Sequence, residues 1–227
     1  GDLVLNAIEY TGFYKLNDLR NSTQAFNNIT GNIINAGEIV VITNPLPYYI
    51  QDVISTRSPE VKFTKGLYFS GDRAGSPSFL SRLPYFKSLG SNSIVFDVKD
   101  ITGIVHVKNS RVREVREFGL SRDGAIDNLP MLVRECRKNG IYMIARISIF
   151  RDHLLYEMDP SSRIRSGRTG GGWNHGTKEL WCDPTNRKVQ DYNINLAVEL
   201  AAAGVDEIQF DYIRFPTLGD QDDAMFA

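Results

Sequence analysis

The chain holds only two cysteines, Cys136 and Cys182, with no CxxC spacing. A disulfide framework is therefore excluded, and either thiol reads as a small buried residue rather than a nucleophile. Histidine is equally scarce. His106, His153 and His175 lack ligand partners at helical spacing, so neither a metal site nor a metal cofactor is expected. An excess of one charge is missing too: the formal net charge is −1, which argues against a nucleic-acid footprint. The densest charge cluster, RVREVREFG (111–119), alternates in sign and reads as solvated surface. No apolar run reaches the length a membrane-spanning helix needs. No glycine-rich phosphate fingerprint follows the first strand-like run. SGDRAGSPS (70–78) has two glycines without the GxGxxG spacing, which disfavours a dinucleotide cofactor. The chain also opens at Gly1-Asp2 without a Met. It reads as a trimmed piece of a longer chain, and the missing signal peptide excludes nothing.

What is present is a core-forming composition. The 227 residues are 42% hydrophobic, enough for one sizeable core plus a small extra module. Composition shifts near residue 60. Residues 1–43 are rich in Asn and Ile and end in GEIVVIT. Residues 44–64 carry three prolines without a sustained period and read as a linker. From Lys65 the pattern turns regular. Strands are expected at 65–70, 93–100, 141–150 and 206–215, each β-branched or aromatic and each ending in polar residues. Helices are expected at 76–90, 127–140 and 183–204. The first is disturbed by Pro84 and closes on Gly90. The second has Asp127 or Asn128 as N-cap and Gly140 beyond its end. The third has Asp183 as N-cap, Pro184 at its first position and Gly204 as C′ residue. Strands alternating with such helices imply βαβ units on a parallel sheet, as half of a (β/α)8 barrel or as a small open sheet. Residues 101–126 and 151–182 are longer than connectors need. They follow strand ends, where sites form on parallel sheets.

The strands themselves carry the candidate chemistry. Alternation places Val95, Asp97 and Lys99 on one face, opposite Ile94, Phe96 and Val98. Tyr142, Ile144, Arg146 and Ser148 share a face of the third strand. In the fourth, Glu207, Gln209 and Asp211 oppose Ile208, Phe210, Tyr212 and Phe215. Three successive strands thus bring Asp97 with Lys99, Arg146, and Asp211 with Arg214 toward one rim. Burying that many charges is costly without a use, and carboxylates suit acid–base or nucleophilic work when a cation keeps them ionised. The catalytic candidates are Asp211, Asp97, Arg146 and Arg214. Candidates for substrate contact are Lys99, Asp100, Tyr68, Trp173 and Trp181. The two tryptophans lie in GRTGGGWNHGTKELWCDP (167–184), where they either stack on sugars or anchor the loop to the rim. Asp152 caps or braces the loop after the third strand.

Together KGLYFS, FDVKD, GIYMIARISIFRD, a Trp with DP before the third helix, and DYNINLAVELAAAGVDEIQFDYIRFP resemble a bacterial family of glycoside-hydrolase-like domains with no assigned specificity. The resemblance covers about residues 65–220. It implies a TIM-barrel fold and matches Asp97, Lys99, Arg146, Asp211 and Arg214 to the family's recurrent polar strand-end positions. His153 departs from it, since the family often has Pro after the Asp. Residues 65–227 compare with about 250 for a whole barrel, so the expected fold is α/β, of (β/α)8 TIM-barrel type with only the first four βα units present. Such a half-barrel would expose strand edges and favour self-association.

The N-terminal stretch, with GDLVLNAIEYTG, LNDLRN and NIINAGEIVVIT, resembles a small α+β LysM module over 1–43 that lacks its first strand and has Ala36 where Val or Pro is usual. This second resemblance implies binding of N-acetylglucosamine-containing polymers such as peptidoglycan, and an extracellular or cell-envelope setting. The expected function is hydrolysis of a cell-envelope or other polysaccharide, with no cofactor. The alternatives are a non-catalytic polysaccharide-binding scaffold and a structural envelope protein.

Overall fold

A computed structural model describes residues 63–173 and 179–227. The LysM-like stretch and the linker up to residue 62 lie outside the described residues. Strand β1 (Gly66–Phe69) leads into three short helices, α1 (Gly71–Ala74), α2 (Pro77–Ser81) and α3 (Leu83–Ser88). The single helix expected over 76–90 is split at Arg82, two residues before the Pro84 ring. Next come β2 (Ser93–Lys99), α4 (Arg113–Glu117), α5 (Leu129–Lys138), β3 (Tyr142–Ser148) and α6 (His153–Met158). The chain continues with β4 (Arg165–Ser166), α7 (Arg187–Ala202), β5 (Glu207–Asp211) and β6 (Ala224–Met225). The four predicted strands correspond to β1, β2, β3 and β5. The structure adds α1, α4 and α6, and the two-residue pair of β4 with β6.

β1, β2, β3 and β5 form one sheet in that order, every pairing parallel. β4 and β6 pair antiparallel as a small separate ladder. The main sheet's helix-facing side is apolar: Ile94, Phe96 and Val98 of β2 and Met143, Ala145 and Ile147 of β3 are fully buried. Each such large side chain contributes about 1.5–3 kcal/mol through removal from water. Beneath β1, Phe69 packs edge-on to Phe79, with ring centroids 5.1 Å apart, and also contacts Phe86.

Two helices set the layer that backs the sheet. In α5 the Asn128 side chain accepts the Met131 amide at 2.9 Å, and Arg137 and Lys138 occupy the last turn, where the helix dipole favours cations. Leu129, Leu132, Val133 and Cys136 form its buried stripe. α7 buries Val189, Tyr192, Asn193, Leu196 and Leu200. Its cap is Asn186, which accepts the Lys188 amide at 2.9 Å, and not the expected Asp183. Asp183 instead closes an Asx turn onto Thr185 and accepts the Ala227 amide at 2.6 Å.

Two features of the sheet decide what reaches the carboxyl rim. Between β2 and β3 the register slips: Asp97 faces Arg146, but Lys99 faces Ile147. The extra residue is a bulge, and it turns Lys99 to the helix side, away from the face alternation assigns it. At the end of β5, Tyr212 takes φ of 52°. That left-handed backbone is strained for a residue with a Cβ. It ends the alternation and sends the Tyr212 ring to the rim rather than to the helix layer.

Candidate functional site

The face of the sheet away from the helices carries three layers of side chains, mixed in the first and polar in the other two. Tyr68, Val95, Ile144 and Glu207 lie in register across the four strands; Asp97, Arg146 and Gln209 follow; Ser148 and Asp211 come last, at the carboxyl rim. Parallel strands in register deliver these groups to the same end, which is why Asp97 and Asp211, 49 and 65 positions from Arg146, meet it here.

Arg146 is the hub. One terminal nitrogen donates to Asp97 Oδ1 at 2.7 Å, the other reaches Asp211 Oδ2 at 2.7 Å, and its Nε donates to the same oxygen at 2.9 Å. A planar fork with fixed donor directions holds two carboxylates at set positions, which Lys could not do. Burial pulls the Arg146 pKa down, but the bonds to Asp97 and Asp211 outweigh it and push it up. The Tyr68 hydroxyl donates to Asp97 Oδ2. Burial, that bond and the Asp97 charge push the Tyr68 phenol up to about 12, so it stays neutral.

The two carboxylates differ in access. Asp97 has a side chain only 5% exposed and both oxygens engaged, whereas the Asp211 side chain is 41% exposed. Burial pushes the Asp211 carboxyl up, but the Tyr212 amide and the Arg146 and Arg214 charges outweigh it and hold it below the usual carboxylate range. Asp211 is therefore an ionised, accessible carboxylate, and Asp97 is a fixed acceptor behind it.

Asp100 lies beyond the bulge. Its Oδ1 accepts the Thr102 amide at 2.8 Å, and its Oδ2 sits 3.2 Å from His106 Nε2. Burial raises the Asp100 pKa, but the bonds from His106 and Thr102 more than reverse that and lower it. His106 is buried against the start of α1, where a Cβ on Gly71 would lie 2.0 Å from the imidazole Cγ. Only glycine allows that approach. Sequence reasoning did not single out His106 because its partner sits six residues away across a turn, a spacing with no helical or strand meaning.

Depressed carboxyl pKa values predict the acid response. Asp100 and Asp211 contribute stability that is complete above the unfolded value of about 3.9 and is lost as pH falls through their lower folded values. The urea midpoint should fall on acidification from pH ~5 to pH ~2. The fall should be smaller in Asp100→Asn, and an equal fall in both proteins would remove Asp100 from the account.

The remaining candidates are placed elsewhere. Lys99 is fully buried on the helix side, its ammonium bound to Asp152 Oδ2 and Asn193 Oδ1, each at 2.8 Å, and 4.7 Å from the Tyr192 ring centroid. It offers no donor to a substrate. Trp173 and Trp181 are 3% and 1% exposed and belong to a core with Ile164, packed against Phe150, Tyr212, Phe215 and Ala224. Neither presents a face for sugar stacking; they anchor the loop, the other of the two roles open to them. Trp173 also donates from its indole to the Asp220 carbonyl at 2.9 Å. Arg214 lies over Trp181, 4.9 Å from the ring centroid, on the same rim as Asp211. Arg151, not anticipated, packs over Tyr212 at 5.4 Å and pairs with Glu179 at 3.0 Å. Tyr68 stands exposed at the β1 end of the site. Among the described residues no cluster of His, Cys, Asp and Glu could hold a metal ion.

Residues 66–227 match the family model described as "Putative glycosyl hydrolase domain". The chain belongs to this family. The glycosyl hydrolase family match spans every strand that builds the rim. A solved structure of a hypothetical protein from Ruminiclostridium thermocellum is 32% identical, with 71% of this chain and 81% of that chain covered and a TM-score of 0.60. The family domain also superposes on α-L-fucosidase isoenzyme 2 from Paenibacillus thiaminolyticus at 15% identity and a TM-score of 0.50. That match covers 67% of this chain and 24% of the fucosidase. At that identity the likeness is one of fold. No curated protein matches the chain.

Proposed function

We propose that this domain is a glycoside hydrolase acting on a polysaccharide, with Asp211 as nucleophile or general base. The supporting observation is the convergence of Asp97, Arg146 and Asp211 from three neighbouring parallel strands into one ion-paired cluster whose only open carboxylate is Asp211. The sheet is read as the first four βα units of a (β/α)8 barrel, in which this polar face points into the barrel and its rim forms the site. Family membership and the fold likeness support the reaction class.

Glycosidic cleavage passes through an oxocarbenium-like transition state flanked by two carboxyl groups. Asp211 supplies the negative charge on one side. It either attacks the anomeric carbon directly or takes a proton from the attacking water. Arg146 keeps it ionised and aimed, and Asp97 fixes Arg146 and Tyr68. Tyr68 is neutral and exposed, and with its hydrogen given to Asp97 its oxygen is left to accept from a sugar hydroxyl. The proton for the leaving oxygen comes from neither Asp211 nor Asp100, since both are held ionised. Asp97 is enclosed by its two partners, Arg146 and Tyr68, and serves as their anchor. The N-acetylglucosamine-containing polymer and the envelope setting rest only on the LysM resemblance.

The test is release of reducing ends by the full-length protein from a panel of polysaccharides that includes peptidoglycan. Cleavage of at least one member is expected. The acid limb of kcat/KM should lie below the ordinary carboxylate range, because its neighbours hold Asp211 ionised. Glycan binding without any cleavage would support the scaffold reading instead, which is consistent with the enclosed Asp97.

A further inference from the structure

We propose that Arg214 forms an anion-recognising subsite beside Asp211, and that the glycan bears a carboxylate on a sugar next to the scissile bond. This substrate class rests on the hydrolase reading above. Arg214 stands three residues beyond Asp211, past the left-handed turn at Tyr212. That turn brings its guanidinium to 4.9 Å from the Trp181 ring centroid and 6.0 Å from that of Tyr212. The two ring contacts position the guanidinium, and apart from the nitrogen that donates to the Phe215 carbonyl its N–H groups are left to bond a ligand.

Three guanidiniums surround the Tyr212 ring: Arg146 at 5.9 Å, Arg151 at 5.4 Å and Arg214 at 6.0 Å. Two of them have carboxylate partners, Asp97 and Asp211 for Arg146 and Glu179 for Arg151. Arg214 has none among the described residues. Its one hydrogen bond runs to the Phe215 carbonyl at 3.3 Å. It is exposed, whereas the indole beneath it is buried. The Arg214 charge also helps to hold the Asp211 carboxyl below the usual carboxylate range. An exposed guanidinium with no internal anion suits a ligand carboxylate, which it would bind through two parallel N–H···O bonds. A neutral sugar hydroxyl would use only one of them, without the charge.

The experiment compares binding of oligogalacturonate, alginate oligomers and neutral cello-oligosaccharides of matched length to the full-length protein by calorimetry. At least one uronic-acid oligomer should bind about tenfold or more tightly than the neutral one, and added salt should shrink the difference. Arg214→Gln should erase the preference. Arg214→Lys, which keeps the charge and loses the fork, should reduce it, and it serves if the Gln variant does not fold. Equal binding of acidic and neutral oligomers, or a preference that survives in both variants, overturns the subsite. Cleavage of neutral glycans with no acidic preference overturns the subsite and leaves the hydrolase reading standing. Arg214-dependent binding of an acidic oligomer that is never cleaved does the reverse.

Discussion

Asp211→Asn should lower hydrolytic turnover by about 10²–10⁴-fold, the range for losing a positioned base or its equivalent, while the protein stays folded and still binds glycan. The substitution keeps the shape and removes the charge. Asn can still accept one bond from Arg146 through its amide oxygen, so the hub is not dismantled, and the Asp211 side chain is open enough that no charge is stranded in the core. What is lost is the only ionised carboxylate of the cluster that a substrate can touch. Initial rates and an independent dissociation constant separate the outcomes. Unchanged turnover would take Asp211 out of the chemistry. Loss of binding with no measurable turnover in either protein would make the cluster a scaffold's contact surface.

The sheet and its polar face were legible in the sequence for a physical reason. Parallel strands backed by helices are buried on that face and read as short β-branched runs, so a charge inside such a run stands out. Period-2 alternation then put Asp97, Arg146 and Asp211 on one side, and the register pairs Asp97 with Arg146 across β2 and β3. Alternation failed where the backbone departs from ideal pleating. The bulge that rotates Lys99 to the helices carries no residue signature in FDVKD, and a left-handed Tyr212 is unforeseeable because aromatic residues rarely adopt that backbone.

The tryptophans stayed open between two roles for a different reason. Their surroundings, Phe150, Tyr212, Phe215 and Ala224, come from segments far apart in the chain. A loop rich in glycine and polar residues hides whether its aromatic rings turn inward or out. Cap positions were legible to within a few residues, as Asn128 shows, yet Asp183 and Asn186 compete for one helix start. Both are good capping residues in a turn-forming stretch.

Asp152→Asn should cost about 3–5 kcal/mol, the penalty for stranding a buried charge, and lower the thermal midpoint by roughly 10 °C for a chain of this size. Lys99 and Asp152 are both fully buried, 2.8 Å apart. The other neighbours of the ammonium, Asn193 Oδ1, the Ile149 carbonyl and the Tyr192 ring, supply dipoles but no countercharge. Asp152 also caps α6, accepting the Leu155 amide at 2.9 Å. Asn is an equally good cap, so the substitution keeps that bond and isolates the electrostatic contribution. The double variant Lys99→Met/Asp152→Asn removes the stranded charge and should recover most of the loss, because a long apolar side chain fills the same space. A double-mutant cycle in urea gives the coupling directly. A cost below about 1 kcal/mol for the single variant would mean that water reaches Lys99, and the bulge that buries it would then not hold in solution.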